Sequence, residues 1–156
     1  MKATELTGGR PVAVIGAGLV GAGWAIVFAR AGLQVRMYDR APQVLDSAPA
    51  LVARQLAQLE AYGLLPEPAD TIRARISVAV SLRDALDGAA YAQESVLEKV
   101  DVKRQLMEEI DALGFDELIV GSSTSGFPAS DFALDLTISP RVLVAHPVNP
   151  PYLVPI

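Results

Sequence analysis

Apolar positions along this chain fall into short unbroken blocks that alternate with longer stretches of helical spacing. Pro11-Val12-Ala13-Val14-Ile15 is such a block, closed by a glycine, and it reads as a strand buried on both faces of a parallel sheet. Residues 19–31 are small or apolar almost throughout and Gly32 follows, which predicts a buried helix ended by a C′ glycine. Residues 34–38 form a second strand. Over 43–62 the apolar residues Leu45, Ala48, Val52, Leu56, Leu59 and Tyr62 recur three and four apart, so a long helix buries one face, and Pro49 marks a kink or a restart in it. Residues 64–75 are proline-rich and polar, a loop with a short helix. Strands follow at 76–80 and 89–93. Val102, Leu106, Ile110 and Leu113 then trace the buried stripe of another helix. Two more short β-rich runs occupy 118–121 and 142–145, and a helix opens near Pro128 and Ser130 between them. Strands and helices alternating at these lengths predict an α/β domain over residues 1–156: a doubly wound, mainly parallel sheet with helices on both faces.

Composition narrows the chemistry. A net charge of -5 repels phosphate backbones, so nucleic acid is not the expected partner. The absence of cysteine excludes disulfides, thiolate metal sites and cysteine nucleophiles, and suits a reducing cytoplasm. A single histidine excludes a multi-histidine metal centre, and no metal site is expected. The uncharged run over 11–29 has the hydropathy of a membrane span. Its leading proline and Gly16, Gly18, Gly21 and Gly23 instead favour strand, turn and helix, with no membrane association.

Gly16-Ala17-Gly18-Leu19-Val20-Gly21 fits G-x-G-x-x-G at the junction of a predicted strand and helix, the context that motif requires. Gly16 permits a tight turn, Gly18 lets a pyrophosphate approach the backbone, and Gly21 lets helix and strand pack closely. The phosphates belong at the helix N-terminus, where free N–H groups and the dipole favour an anion. Ala22, Gly23 and Ala25 extend the small residues and are expected to bring this helix close to the sheet. The second strand runs into Asp39, whose carboxylate suits the ribose hydroxyls of an adenosine and repels a 2′-phosphate. Arg40 points the other way, toward NADP, but the acid is expected to dominate. The motif thus predicts a Rossmann-type fold that binds NAD. The competing reading is a glycine-rich turn followed by an unrelated surface aspartate. No second flavin-contacting motif accompanies it.

The lone His146 follows the run at 142–145, and a parallel strand delivers its C-terminal end to the crevice where ligands bind. His146-Pro147-Val148-Asn149-Pro150-Pro151 sets an asparagine in a backbone stiffened by prolines, which either fixes side chains or is simply a loop. Gly121-Ser122-Ser123-Thr124-Ser125-Gly126 is a hydroxyl cluster directly after another strand. It is either an ordinary polar loop or a set of donors and acceptors facing the same crevice.

These motifs, with the segment Gln93-Glu94-Ser95-Val96-Leu97-Glu98-Lys99-Val100, give the chain a resemblance. It resembles the N-terminal NAD-binding domain of the L-3-hydroxyacyl-CoA dehydrogenase family over essentially its whole length. The resemblance implies oxidation of a 3-hydroxyl to a ketone with hydride transfer to NAD. His146 matches the family's catalytic base, a role an imidazole suits because its unperturbed pKa lies near working pH. Ser125 matches the serine that hydrogen-bonds the reacting oxygen, and Asn149 the asparagine beside nicotinamide and substrate. Glu98 and Lys103 match residues near the nicotinamide half, and Ser123 stands where an asparagine is usual on the cofactor side. Without the resemblance, Glu98 and Lys103 read as a solvated acid at a helix start and a surface lysine.

The departures bear on substrate. Acyl-CoA members usually carry two aromatics after the histidine, where this chain has Pro147-Val148. The version here is more similar to the branch containing lambda-crystallin and L-gulonate 3-dehydrogenase, so a small hydroxy acid stands level with a hydroxyacyl-CoA. The family's glutamate partner to the histidine would fall beyond Ile156, and the apolar run 152–156 reads as a strand cut in its middle. The helical domain that completes the family's substrate site and dimer interface has no counterpart in these residues. The expectation is a fragment of a longer cytoplasmic, homodimeric enzyme of fatty-acid or hydroxy-acid metabolism. Such a fragment would bind NAD with little or no turnover, for want of an orienting carboxylate and a substrate wall. The alternative is a non-catalytic NAD-binding structural protein of the crystallin kind.

Overall fold

The computed structural model describes residues 2–154. After a short α1 (Ala3–Leu6), the first apolar block becomes β1 (Val12–Ile15), and all of its residues are buried. The chain continues through α2 (Leu19–Arg30), β2 (Val35–Tyr38), α3 (Pro42–Ala61), α4 (Ala69–Arg73) and β3 (Ile76–Val78). The second half runs through α5 (Leu82–Leu86), β4 (Tyr91–Glu94), α6 (Val100–Leu113), β5 (Ile119–Ser122) and α7 (Ser130–Ala133). A 3₁₀ turn at Ser139–Arg141 leads into β6 (Val142–Val144).

The strands pair in the order β3-β2-β1-β4-β5-β6, and every pairing is parallel. This is the Rossmann-type doubly wound sheet. Because β1 pairs with β2 on one side and β4 on the other, the winding reverses there, and a crevice opens beyond the C-terminal ends of these strands. β1 is uniformly apolar because it faces a core on each side. Ala13 and Ile15 join a cluster built on α5, α6 and α7 that includes Met107, Ile110 and Phe132. Val14 joins one built on α2, α3 and α4 that includes Trp24, Leu56 and Ile72. The long uncharged run at 11–29 is thereby divided into strand, turn and helix. Among the described residues no helix is long and apolar enough to cross a membrane.

Several expectations are adjusted. Pro49 does not interrupt α3, which is continuous. It sits on the exposed face, where water can hydrate the carbonyl it leaves without an intrahelical donor. Tyr62 follows the helix as its C-cap and is 80% exposed, outside the buried face assigned to it. Ile76–Val78 is two residues shorter than the strand read at 76–80. β4 lies one to two residues beyond the predicted 89–93, because its ladder with β1 and β5 extends to Glu94. The buried stripe of α6 is Lys103, Leu106, Met107 and Ile110, while Val102 and Leu113 are only partly covered. The expected strand at 152–156 is not formed over its described part. Leu153 N–H closes a turn on the Pro150 carbonyl at 3.1 Å, and Pro155 and Ile156 lie outside the described residues.

Candidate functional site

The crevice begins at the glycine turn. Gly16 takes φ +98, and a Cβ there would collide with the backbone of Ser95 at the end of β4. A Cβ on Gly21 would strike the Gly16 carbonyl, so helix and turn touch backbone to backbone. Gly18 is different: no atom lies within 4 Å of where its Cβ would stand. Gly18 is also the N-cap of α2, no side chain caps the helix, and the first intrahelical bond here runs from Ala22 N–H to Gly18 O at 2.8 Å. The amides of Leu19, Val20 and Gly21 are left without intrahelical partners beside open space, an arrangement that suits an anion.

Beside the turn lies a cleft of about 490 Å³ whose lining includes Gly16, Gly18, Asp39 and Ser95. Asp39 follows β2 directly, and its two oxygens accept from Ala17 N–H at 2.8 Å and Ala41 N–H at 2.9 Å. Ala17 is buried and gives its amide to the carboxylate, so its part is to lock Asp39 to the glycine turn. A carboxylate has about four acceptor directions, which leaves room for both hydroxyls of a ribose. Cleft, open Gly18, uncapped helix and half-satisfied carboxylate together fit a dinucleotide. Arg40, next in sequence, turns to Glu109 on α6, with Nη2 at 2.5 Å from Oε1. Leu19, the first residue of α2, is 69% exposed.

On the other side of the turn the site is built from side chains. Glu94 at the end of β4 and Lys103 on α6 are buried and paired, with Nζ at 2.9 and 3.0 Å from the two carboxylate oxygens. Glu94 also accepts from Ser122 Oγ and from Val96 N–H, which satisfies a charge that would otherwise be costly inside the protein. Lys103 reaches onward to Glu98 Oε2 at 3.1 Å. The other oxygen of Glu98 gathers the loop after β5, accepting from Thr124 Oγ1 at 2.7 Å, Ser125 N–H at 2.8 Å and Gly126 N–H at 3.3 Å. Burial works to raise the Glu98 carboxyl, but the bonds from Thr124 and Ser125 and the Lys103 charge together outweigh it and hold it at about 2. Glu98 is therefore the clamp that sets the conformation of the Ser125 loop.

Ser123 sits at a second hub. Burial pushes the Tyr91 phenol up to about 12, so it stays protonated and donates to Gln93 Oε1 at 2.5 Å. That orients the Gln93 amide so that Nε2 donates to Ser123 Oγ at 2.8 Å, where Trp24 Nε1 also donates at 3.1 Å. With both acceptor positions used, Ser123 must give its own hydrogen to Ser95 Oγ, 2.8 Å away. The Ser123 hydroxyl is thus fully engaged within the protein. The hydroxyl hydrogen left over belongs to Ser95, in the wall of the cleft.

β6 delivers the histidine loop beside this hub. Ala145 N–H bonds Ser122 O at 2.8 Å, so His146 and the Ser123–Ser125 stretch leave from the C-terminal ends of neighbouring strands. His146 and Asn149 are exposed, and Asn149-Pro150 is a cis peptide. Downstream the loop is pinned to α2: a Cβ on Gly23 would come within 2.7 Å of the Pro151 ring, and Arg30 Nη1 donates to Tyr152 O at 2.8 Å. The small side at Gly23 makes way for this loop, not for the sheet as the sequence suggested.

Sequence reasoning marked the segments that hold Glu94, Ser95 and Thr124 but gave none of the three a role of its own, and it read Lys103 without the resemblance as a surface residue. The available signal was a glutamate and a lysine nine apart, one inside a strand register and one inside an apolar stripe. Each alone looks like a surface charge.

Residues 11–156 match the family model for the NAD binding domain of 3-hydroxyacyl-CoA dehydrogenase. The chain is 38% identical over 147 residues to the lambda-crystallin homolog of Bos taurus, covering 93% of this chain and 46% of that one. It is 37% identical over 147 residues to the L-carnitine dehydrogenase of Streptomyces griseus, covering 94% and 43%. The solved structure of 3-hydroxybutyryl-CoA dehydrogenase from Escherichia coli superposes with a TM-score of 0.84 at 28% identity, covering 92% of this chain and 30% of that one. The chain spans less than half the length of these relatives.

Proposed function

The chain belongs to the family of 3-hydroxyacyl-CoA dehydrogenase NAD-binding domains, and on that footing we propose that the whole protein oxidises the 3-hydroxyl of a small hydroxy acid or hydroxyacyl thioester to a ketone. Asp39 on the β2 side would hold the adenosine ribose of NAD, and the amides of Leu19, Val20 and Gly21 would hold its pyrophosphate. The residues at the ends of β4, β5 and β6 would then be left for the nicotinamide half. Bound NAD supplies the hydride acceptor.

His146 takes the proton from the substrate hydroxyl at an imidazole nitrogen, Ser125 holds the reacting oxygen, and Asn149 flanks it. Glu98 keeps Ser125 in place through the backbone, and Lys103 and Glu94 keep Glu98 in place. The observation that carries this reading is the Glu98 clamp on Thr124, Ser125 and Gly126, one strand away from the histidine loop. A relative named L-carnitine dehydrogenase acts, by its name, on a 3-hydroxy carboxylate, which supports the small-acid branch. Operation in the cytoplasm as a homodimer belongs to the same reading.

A second reading, a non-catalytic NAD-binding structural protein, draws on the resemblance to the lambda-crystallin homolog. His146→Gln in the whole protein separates the two. On the enzyme reading turnover of a 3-hydroxy acid or thioester falls about a thousandfold, while NAD affinity stays within about twofold. Turnover that survives the substitution unchanged defeats the role given to His146, and no turnover in the parent protein favours the structural reading.

A further inference from the structure

The adenosine end of the cleft holds two carboxylates and one guanidinium in a row. Asp39 is fixed by the glycine turn, Arg40 follows it in sequence, and Glu109 reaches across from α6 to accept from Arg40 Nη2 at 2.5 Å. All three line the cleft, and Arg40 is the single cation lining it among the described residues. Arg40 and Glu109 are 57% and 41% exposed, so this is a contact made across a mouth and not a core ion pair.

An arginine next to the ribose-binding acid is the group that can accommodate a 2′-phosphate, because its fork matches phosphate oxygens. Left alone, Arg40 would offset Asp39 and make this end electrically neutral. Glu109 changes that balance. It engages one arm of the fork, Nη2, and it returns the local charge to one net negative. A ligand carrying a 2′-phosphate would have to break the Arg40–Glu109 pair and then lie beside two carboxylates. A ligand with a free 2′-hydroxyl needs neither step, since Asp39 alone can accept from it. We propose that Glu109 is a specificity-determining residue: by holding Arg40, it makes the cleft reject NADP and accept NAD. The inference rests on the adenosine placement given above and adds to it a residue on α6, 70 positions beyond Asp39 in sequence.

Calorimetric titration of the chain and its variants with NAD and NADP tests this, with a melting curve on each sample as the check of folding. The chain itself should bind NAD well and NADP far more weakly. In Glu109→Ala, NADP affinity should rise about tenfold and NAD affinity should stay within about twofold, the scale expected when one charge beside a phosphate is removed near the surface. Arg40→Ala combined with Glu109→Ala should cancel the NADP gain, because the freed guanidinium is what reads the phosphate. Unchanged NADP affinity in folded Glu109→Ala overturns the proposal. So does a gain that persists in the double variant, which would make it a simple loss of negative charge. If the unaltered chain fails to bind NAD, the adenosine placement itself falls and the proposal with it. NAD binding with no NADP gain in Glu109→Ala removes only the role of Glu109.

Discussion

The two sides of the glycine turn solve one problem, how to hold a group in place, by opposite means. On the β2 side the groups are backbone: the amides at the start of α2, the Ala17 and Ala41 amides on Asp39, and a turn where Gly16 and Gly21 leave no room for side chains. On the β4–β6 side they are side chains strung through the interior, from Ser122 through Glu94 and Lys103 to Glu98 and the Ser125 loop. Backbone positions tolerate sequence change as long as the fold survives. The buried chain depends on each member, because removing one leaves a neighbour charged and unpaired.

The sharpest way to break this contrast is Lys103→Met. It leaves Glu94 buried beside an apolar side chain, and unfolding in urea should show a loss of about 3–5 kcal/mol. A loss under about 1 kcal/mol would mean that the β4–β6 side tolerates change as well as the β2 side does. Asp39→Ala attacks the other side. NAD affinity should fall about tenfold or more, with a stability cost of about 2–3 kcal/mol from the two amide bonds lost. An unchanged dissociation constant would remove Asp39 from the ribose site.

The smallest effect is a matter of pH. Glu98 is held at about 2 against an ordinary 4.5, so its stabilisation is complete above pH 4.5 and is lost as the pH falls toward 2. The side chain is 42% exposed, so solvent screens part of that contribution. Melting temperature followed down this window should drop more steeply in the parent chain than in Glu98→Gln. Equal slopes would show that the clamp draws nothing from its charge.

Legibility followed the same division. Gly16, Gly18, Gly21 and Asp39 are local signals, since a turn, a helix start and a strand end are each written in a few neighbouring residues. The alternating blocks were enough for the strand order along the chain and the parallel sheet, while the short helices α1 and α5 went unread. Boundaries slipped where pairing decided them, as at β4, which the ladder carries on to Glu94. Pro49 was misread because its effect depends on which face of α3 meets water.

The sequence by itself determined the fold class and the glycine turn, because apolar periodicity and glycine spacing act through contacts near in the chain. Only the tertiary structure decided that Lys103 is interior, that Ser123 is saturated while Ser95 keeps a free hydrogen, and that Arg40 is held by Glu109. Each of these depends on where the fold sets a partner, nine residues away for Lys103 and 69 for Arg40, or on the full set of neighbours around one oxygen. A charge looks the same in sequence whether it faces water or a counter-charge. What tells them apart is the partner the fold brings within 3 Å.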